Sequence, residues 1–180
     1  MHEELSFEVA KQILRADIES GELFWLSRDR SFFTNDLSFR TWNIRFAGKR
    51  ADKLSLSGYM KIKIFGKSMF AHRVLWLLRY GKWPEMQLDH INGVRSDNRR
   101  TNIREASNQE NSKNRKLRSD NGSGLAGVRI HKRLCKWEAD ISIGGKQEVL
   151  GYFEDLFSAA CARKSAEIQH SYHENHGRLA

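Results

Sequence analysis

Cysteine and proline are nearly absent from this chain. Among its 180 residues there are two cysteines, Cys135 and Cys161, and a single proline, Pro84. The cysteines stand alone without a C-x-x-C partner, which argues against a disulfide framework and against structural zinc, and leaves both as packing residues. No apolar run approaches the ~20 residues that a membrane span needs. The opening MHEELSFEVAK has neither the basic start nor the apolar core of a signal peptide. A cytoplasmic protein with no membrane partner is expected. Acidic residues are also scarce, 22 against 31 lysines and arginines, for a net charge of +9.

What is present sharpens that picture. Hydrophobic residues make up 39% of the chain, enough for one ordinary domain or two small ones with a real core. The first 24 residues hold six acidic side chains against Lys11 and Arg15, which leaves about +13 for the remainder. A localised basic excess of this kind suits a polyanion, because each phosphate neutralised by Lys or Arg releases a counterion. Nucleic acid is the expected partner.

Along the chain, Ser6 caps a predicted amphipathic helix whose Phe7, Ala10, Leu14 and Ile18 recur at helical spacing and which Gly21 ends. Residues 22–26 read as a strand. From 28 to 53 the pattern is irregular, with basic residues interleaved among Phe32, Phe33, Phe39, Trp42 and Phe46, a mixture read as core before it is read as a base-stacking surface. Residues 59–65 alternate, Met60, Ile62 and Ile64 on one face and Lys61 and Lys63 on the other, and turn at Gly66 into a second strand. Residues 71–80 form a buried helix with Gly81 at its C′ position. His72, at the start of that helix, is assigned a packing role.

Residues 88–115, LDHINGVRSDNRRTNIREASNQENSKNR, organise the rest. A short strand over 86–91 is followed by the Asn92-Gly93 turn signal, a second strand over 102–106, and a helix capped by Ser107 with Glu110 in its first turn. Taken singly, Asp89 and His90 could cap a turn, Asn102 could close a strand end and Asn111 could be a solvated helix residue. In register they suggest more. A carboxylate and an amide oxygen are hard donors suited to Mg²⁺, or Mn²⁺ in its place, and His90, on the opposite strand face from Asp89, is left to act as a base.

The segment closely resembles the HNH endonucleases of the ββα-metal fold, in particular the phage and intron-encoded homing type, in an H-N-N variant. The carriers of the likeness are D-H-I-N-G at 89–93, N-R-x-x-N at 98–102 and the final Asn111, with Ile103 where leucine is usual. The resemblance implies that Asp89 and Asn111 bind the metal, that His90 is the general base and that Asn102 orients it. It further implies hydrolysis of DNA to 5′-phosphate and 3′-hydroxyl ends.

Downstream, Lys113, Arg115 and Lys116 form a basic run, expected to contact nucleic acid, that leads to a Gly- and Ser-containing linker at 119–124. Strands are predicted over 127–133, 136–143 and 146–153, with a Gly144-Gly145 hairpin loop, followed by a helix over 155–172 whose inner stripe is Phe157, Ala160, Cys161 and Ile168. This region resembles the plant APETALA or ethylene-response-factor DNA-binding domain through Gly127-Val128-Arg129, residues 136–141, residues 150–153 and Ala159-Ala160. The likeness implies groove contacts from Arg129, Lys132, Arg133 and Lys146, with Trp137 either touching DNA or packing in the core.

The expected architecture is therefore α+β, a nuclease domain over 1–118 with its ββα core at about 86–116, the linker, and a three-stranded antiparallel sheet packed on one helix over 125–180. The expected function is a metal-dependent, site-selective endonuclease acting as a monomer on double-stranded DNA. The rival reading is a non-catalytic DNA-binding regulator built on a nuclease scaffold.

Overall fold

The structure, a computed structural model, describes residues 5–114, 117, 120–174 and 176–177. Arg115 and Lys116, expected at the nucleic-acid interface, lie outside the described residues. The chain is a mixed α+β protein that divides into two compact units, residues 1–105 and 106–180. That division falls upstream of the expected linker.

The first unit opens with α1, Phe7–Ile13, capped by the Ser6 hydroxyl on the Val9 amide. The helix is shorter than expected, because Leu14–Asp17 leaves it as strand β1 and pairs antiparallel with β2, Glu22–Trp25. The helical spacing of Leu14 and Ile18 is thus overridden by cross-strand pairing, with Leu14 opposite Trp25. Asp17 ties the connecting turn by accepting from the amides of Glu19 and Ser20, both at 3.1 Å. Gly21 closes it at φ +72°, and a Cβ there would lie 2.3 Å from the carbonyl carbon of Asn98.

A helix that the pattern did not reveal follows. Helix α2, Asp36–Phe46, is capped by Asn35 and buries no residue fully, with Leu37 and Ile44 exposed. It escaped notice because no apolar stripe marks it. Next come β3, Lys53–Leu54, β4, Met60–Ile64, and β5, Lys67–Phe70, an antiparallel sheet in that order. Phe65 and Gly66 make the tight turn, both at positive φ. Met60, Ile62 and Ile64 are buried as the alternation requires. They meet α3, Ala71–Tyr80, which stops at left-handed Gly81, and Val74 and Leu77 of α3 complete the core with Ile13 and Leu23. Each such fully buried side chain contributes roughly 2 kcal/mol.

Strand β6, Gln87–His90, pairs with β7, Ile103–Ala106, and α4, Asn108–Lys113, follows directly. Helix α4 starts at the expected Ser107 cap, and Glu110, expected only as a first-turn acid, completes a capping box with it.

In the second unit, β8, Val128–His131, β9, Lys136–Ile143, and β10, Lys146–Phe153, form an antiparallel sheet with β9 central. Helix α5, Leu156–Gln169, packs on it. The predicted inner stripe of α5 is corrected by the structure: Phe157, Cys161 and Ile168 are exposed, and the helix buries Ala159, Arg163, Ala166 and Glu167 instead. Small residues let the helix approach Val128 and Ala139, and the arginine is admitted because it is fully engaged. Its Nε meets Glu167 at 2.9 Å and its Nη1 the Asp140 carbonyl at 2.5 Å. Cys135 and Cys161 are both exposed, so neither is the packing residue expected. No described helix is long and apolar enough to cross a membrane.

Candidate active site

The site is built where β6 ends. Asp89 and His90 are its last two residues and both are buried, at 7% and 5% exposure. The chain then turns, the Gly93 amide donating to the His90 carbonyl at 2.7 Å, and runs out and back before β7. Asn102 closes that excursion. Its Oδ1 accepts from the Asn92 amide at 2.9 Å, its Nδ2 donates to the Asp97 carbonyl at 2.7 Å, and its own carbonyl accepts from the Ile91 amide at 2.9 Å. The loop is stiffened further by Asp97, which receives Asn92 Nδ2 and the Arg99 guanidinium, both at 2.7 Å. Those partners hold the Asp97 carboxyl down to about 2.

The resemblance gave Asn102 the task of orienting His90. In the structure it fixes the backbone just after the histidine, and the contact to the ring comes from another amide. His90 Nε2 lies 3.0 Å from Asn98 Oδ1. With that oxygen accepting, the proton sits on Nε2 and Nδ1 carries the lone pair. Burial lowers the pKa of His90, opposed by Asn98 and by the charges of Asp89 and Asp97. The imidazole is therefore neutral near pH 7, the form a proton acceptor needs.

His72 of α3 meets His90 edge to face, ring centres 5.1 Å apart, and stacks on Phe70 at 5.4 Å. Tyr59 covers both histidines at under 6 Å. Burial, with the neighbouring His90 and Arg73, pushes the pKa of His72 down to about 3, so it stays neutral. The packing role assigned from the sequence describes its contacts, and it also walls the His90 ring. Neither His72 nor Asn98 was singled out as functional. For Asn98 a signal existed, since N-x-x-x-N places two amides at the loop's return. For His72 there was none, as its neighbour lies 18 positions away.

Asp89 Oδ2 accepts from Arg104 of β7, 3.1 Å to Nη2. A buried carboxylate of this kind is a hard donor, and the Asn111 amide in α4 has the same oxygen chemistry, so the donor types fit a divalent ion such as Mg²⁺. Among the described residues no group of three or more His, Cys, Asp or Glu that could hold a metal ion converges.

Residues 69–113 match the HNH endonuclease family. The matched segment runs from β5 to the last residue of α4 and contains His72, Asp89, His90, Asn98, Asn102 and Asn111. The match covers 45 of the 180 residues. Among solved structures the chain is similar to the HNH homing endonuclease I-HmuI, described with its DNA binding and cleavage. The identity is 17% and the TM-score 0.43, over 97% of this chain and 96% of that one. No curated protein matches the sequence.

The match to the HNH family ends at residue 113, within α4, so the sheet and helix that follow are judged on their own geometry. Arg129 is paired with two carboxylates of β9, Glu138 and Asp140, rather than presenting the unpaired cation expected of a groove reader. Trp137 is half-buried and packs against the apolar cluster around Val128. Lys132, Arg133 and Lys146 are exposed. Lys113 donates to the His170 carbonyl at 2.6 Å and lies over the Tyr172 ring, anchoring α4 to the end of α5. This anchoring explains why the compact units part before α4 and not after it.

Proposed function

We propose that the protein is a metal-dependent DNA endonuclease of the H-N-N type, with His90 as general base. The observation that carries this reading is the His90 environment: a buried neutral imidazole, held by Asn98 beside buried Asp89, inside the stretch that matches the HNH family. His90 takes the proton of a water attacking the phosphodiester in line, and Asn102 keeps the chain after His90 fixed. Asp89 and Asn111 would hold Mg²⁺, or Mn²⁺ in its place, which supplies Lewis-acid stabilisation of the developing charge and the departing oxygen. The products are 5′-phosphate and 3′-hydroxyl ends.

The substrate we propose is double-stranded DNA, bound by a monomer in a host-cell cytoplasm, with the chain serving as a phage homing-type nuclease. The basic surface of the second unit, in the manner of an ethylene-response-factor sheet, supplies site preference. Of the residues expected there, Lys132, Arg133 and Lys146 remain the best candidates for phosphate contacts, because Arg129 and Lys113 have partners of their own. One observation favours the rival reading of a non-catalytic DNA-binding regulator: the Arg104 guanidinium occupies an oxygen of Asp89.

The deciding experiment incubates the purified chain with supercoiled plasmid, with and without Mg²⁺, beside His90→Ala. The expected result is Mg²⁺-dependent nicked or linear DNA that His90→Ala no longer yields, although it still retards the plasmid. Retardation without cleavage by the parent chain would establish the regulator.

A further inference from the structure

Among the described residues, one buried side-chain atom without a hydrogen bond belongs to neither His72 nor Asn98, the two residues beside His90. Arg28 is only 8% exposed, and its Nε is buried without a hydrogen bond. Its backbone is locked by Asn43, whose Oδ1 accepts from the Arg28 amide at 2.9 Å and whose Nδ2 donates to the Arg28 carbonyl at 3.1 Å. The guanidinium lies 3.9 Å from the centre of the Trp42 ring and 4.7 Å from that of Trp25. Rings of this kind attract a cation but cannot accept its N–H groups in the plane of the fork. Buried charges are ordinarily paired. Burial lowers the pKa of Arg28 to about 10, which still leaves it charged at neutral pH.

The guanidinium lines a groove of about 640 Å³, within the size range of small-ligand sites, ~300–1,000 Å³. No carboxylate lines that groove, whereas Lys53, Lys61 and Lys63 do. None of the three forms an ion pair among the described residues. Its apolar wall includes Phe65 and Leu54, which are 53% and 66% exposed. The combination is a recessed planar cation for an anion, lysines around it, and exposed apolar surface for a flat ring.

We propose that this groove binds one unpaired nucleotide, the phosphate on Arg28 with Lys53 and Lys63, and the base against Phe65 and Leu54. A stacked, paired duplex presents its phosphates on a convex surface and cannot offer one to a guanidinium this recessed. A nucleotide that has left the stack can. The same chemistry is carried by an unpaired position in a DNA strand and by a free mononucleotide. The inference is independent of cleavage at His90, so its test omits divalent ions.

In the full chain, isotope-labelled and kept in EDTA, the Arg28 Nε–H resonance is followed by NMR. The ligands are dTMP, deoxythymidine, inorganic phosphate, a fully paired duplex, and the same duplex with one bulged thymidine. The expected result is that dTMP and the bulged duplex shift the resonance while the paired duplex does not. Tighter binding of the bulged duplex than of dTMP identifies a DNA strand as the source, and the reverse order identifies the free nucleotide. Arg28→Met should weaken dTMP binding about tenfold, and the exposed pair Lys53→Gln with Lys63→Gln about threefold even if Arg28→Met does not fold. An Arg28 resonance unmoved by every ligand overturns the proposal. So does inorganic phosphate or deoxythymidine binding as tightly as dTMP, or unchanged dTMP affinity in both the arginine and the lysine variants.

Discussion

The two units differ in how completely they satisfy their buried polar groups. Among the described residues, all three buried side-chain atoms without a hydrogen bond lie in the first unit: Arg28 Nε, His72 Nδ1 and Asn98 Nδ2. The second unit buries four charged residues, Glu138, Asp140, Arg163 and Glu167, and every one is engaged. Arg129 serves Glu138 and Asp140, Gln147 donates to Asp140 at 2.5 Å, and Lys164 reaches Glu167 at 2.7 Å. An unsatisfied buried donor or acceptor costs about 1–3 kcal/mol, so the first unit carries a cost that the second avoids. The lesson is one of purpose. Polar groups that complete a scaffold close on one another, whereas groups kept for a substrate must leave valence open.

The sharpest way to break that contrast is His90→Ala. Loss of the proposed base should slow cleavage ~10²- to 10⁴-fold in single-turnover assays at neutral pH, with plasmid retardation unchanged. The parent rate in this variant would remove the first unit's claim to a catalytic group.

Next in size is Arg163→Met. It leaves the buried Glu167 carboxylate and the Asp140 carbonyl without their partner, and about 3–5 kcal/mol should be lost in urea unfolding. Lys164→Ala, removing only a surface contact to the same carboxylate, should cost under ~1 kcal/mol. Equal losses would mean that the interior pair contributes no more than a surface one.

His72→Phe tests the first unit through pH. The folded pKa of His72, about 3, lies below its ordinary 6.5, so the unfolded chain binds the proton more readily. This group's contribution is therefore intact above pH 6.5 and is lost as pH falls from there toward 3, at up to ~1.4 kcal/mol per pH unit. Phenylalanine keeps the ring contacts with Phe70 and Tyr59 and should flatten that slope. Urea titrations at pH 7, 5 and 4 measure it, and parallel acid limbs for variant and parent would contradict the assignment.

The smallest expected effects are at Asn98. Asn98→Ala removes the acceptor facing His90 and should slow cleavage about tenfold, at a cost of about 1–3 kcal/mol of stability because the buried His90 Nε2–H loses this acceptor. Asn98→Asp keeps the acceptor but places a negative charge on the ring, which raises the histidine pKa. Its cleavage should persist, with the acid limb moved to higher pH. An unmoved pH profile would show that Asn98 merely packs.

Much of the architecture was legible because local rules and tertiary structure agree there. The alternation of Met60, Ile62 and Ile64, the Ser107–Glu110 box, and the Gly81 stop each place an element by themselves. The three C-terminal strands are legible for the same reason, bounded by turn residues. Where the reading failed, a nonlocal partner decided. Leu14 keeps helical spacing yet pairs with Trp25, and α5 turns Arg163 inward because Asp140 and Glu167 await it. Helix α2 has no buried stripe to betray it. In the candidate site, Asp89, His90 and Asn102 share one contiguous motif, and its spacing together with the HNH resemblance singled them out. The ring contacts of Asn98 and His72 depend on how the chain returns, and no periodicity encodes that.

Gly21 carries a consequence for how this sequence can drift. Its backbone sits at positive φ, and the space where a side chain would begin is taken by the main chain of Asn98 and Arg99. Main chain cannot step aside as a side-chain tip can. Saturation mutagenesis should find the position closed even to alanine, while Glu19 and Ser20 in the same turn accept most replacements. The hairpin would thus be an anvil against which the loop bearing Asn98 is held. A variant library selected for cleavage would then display, at a residue with no chemistry of its own, an intolerant position marking where the hairpin of β1 and β2 and the histidine loop have become one mechanical part.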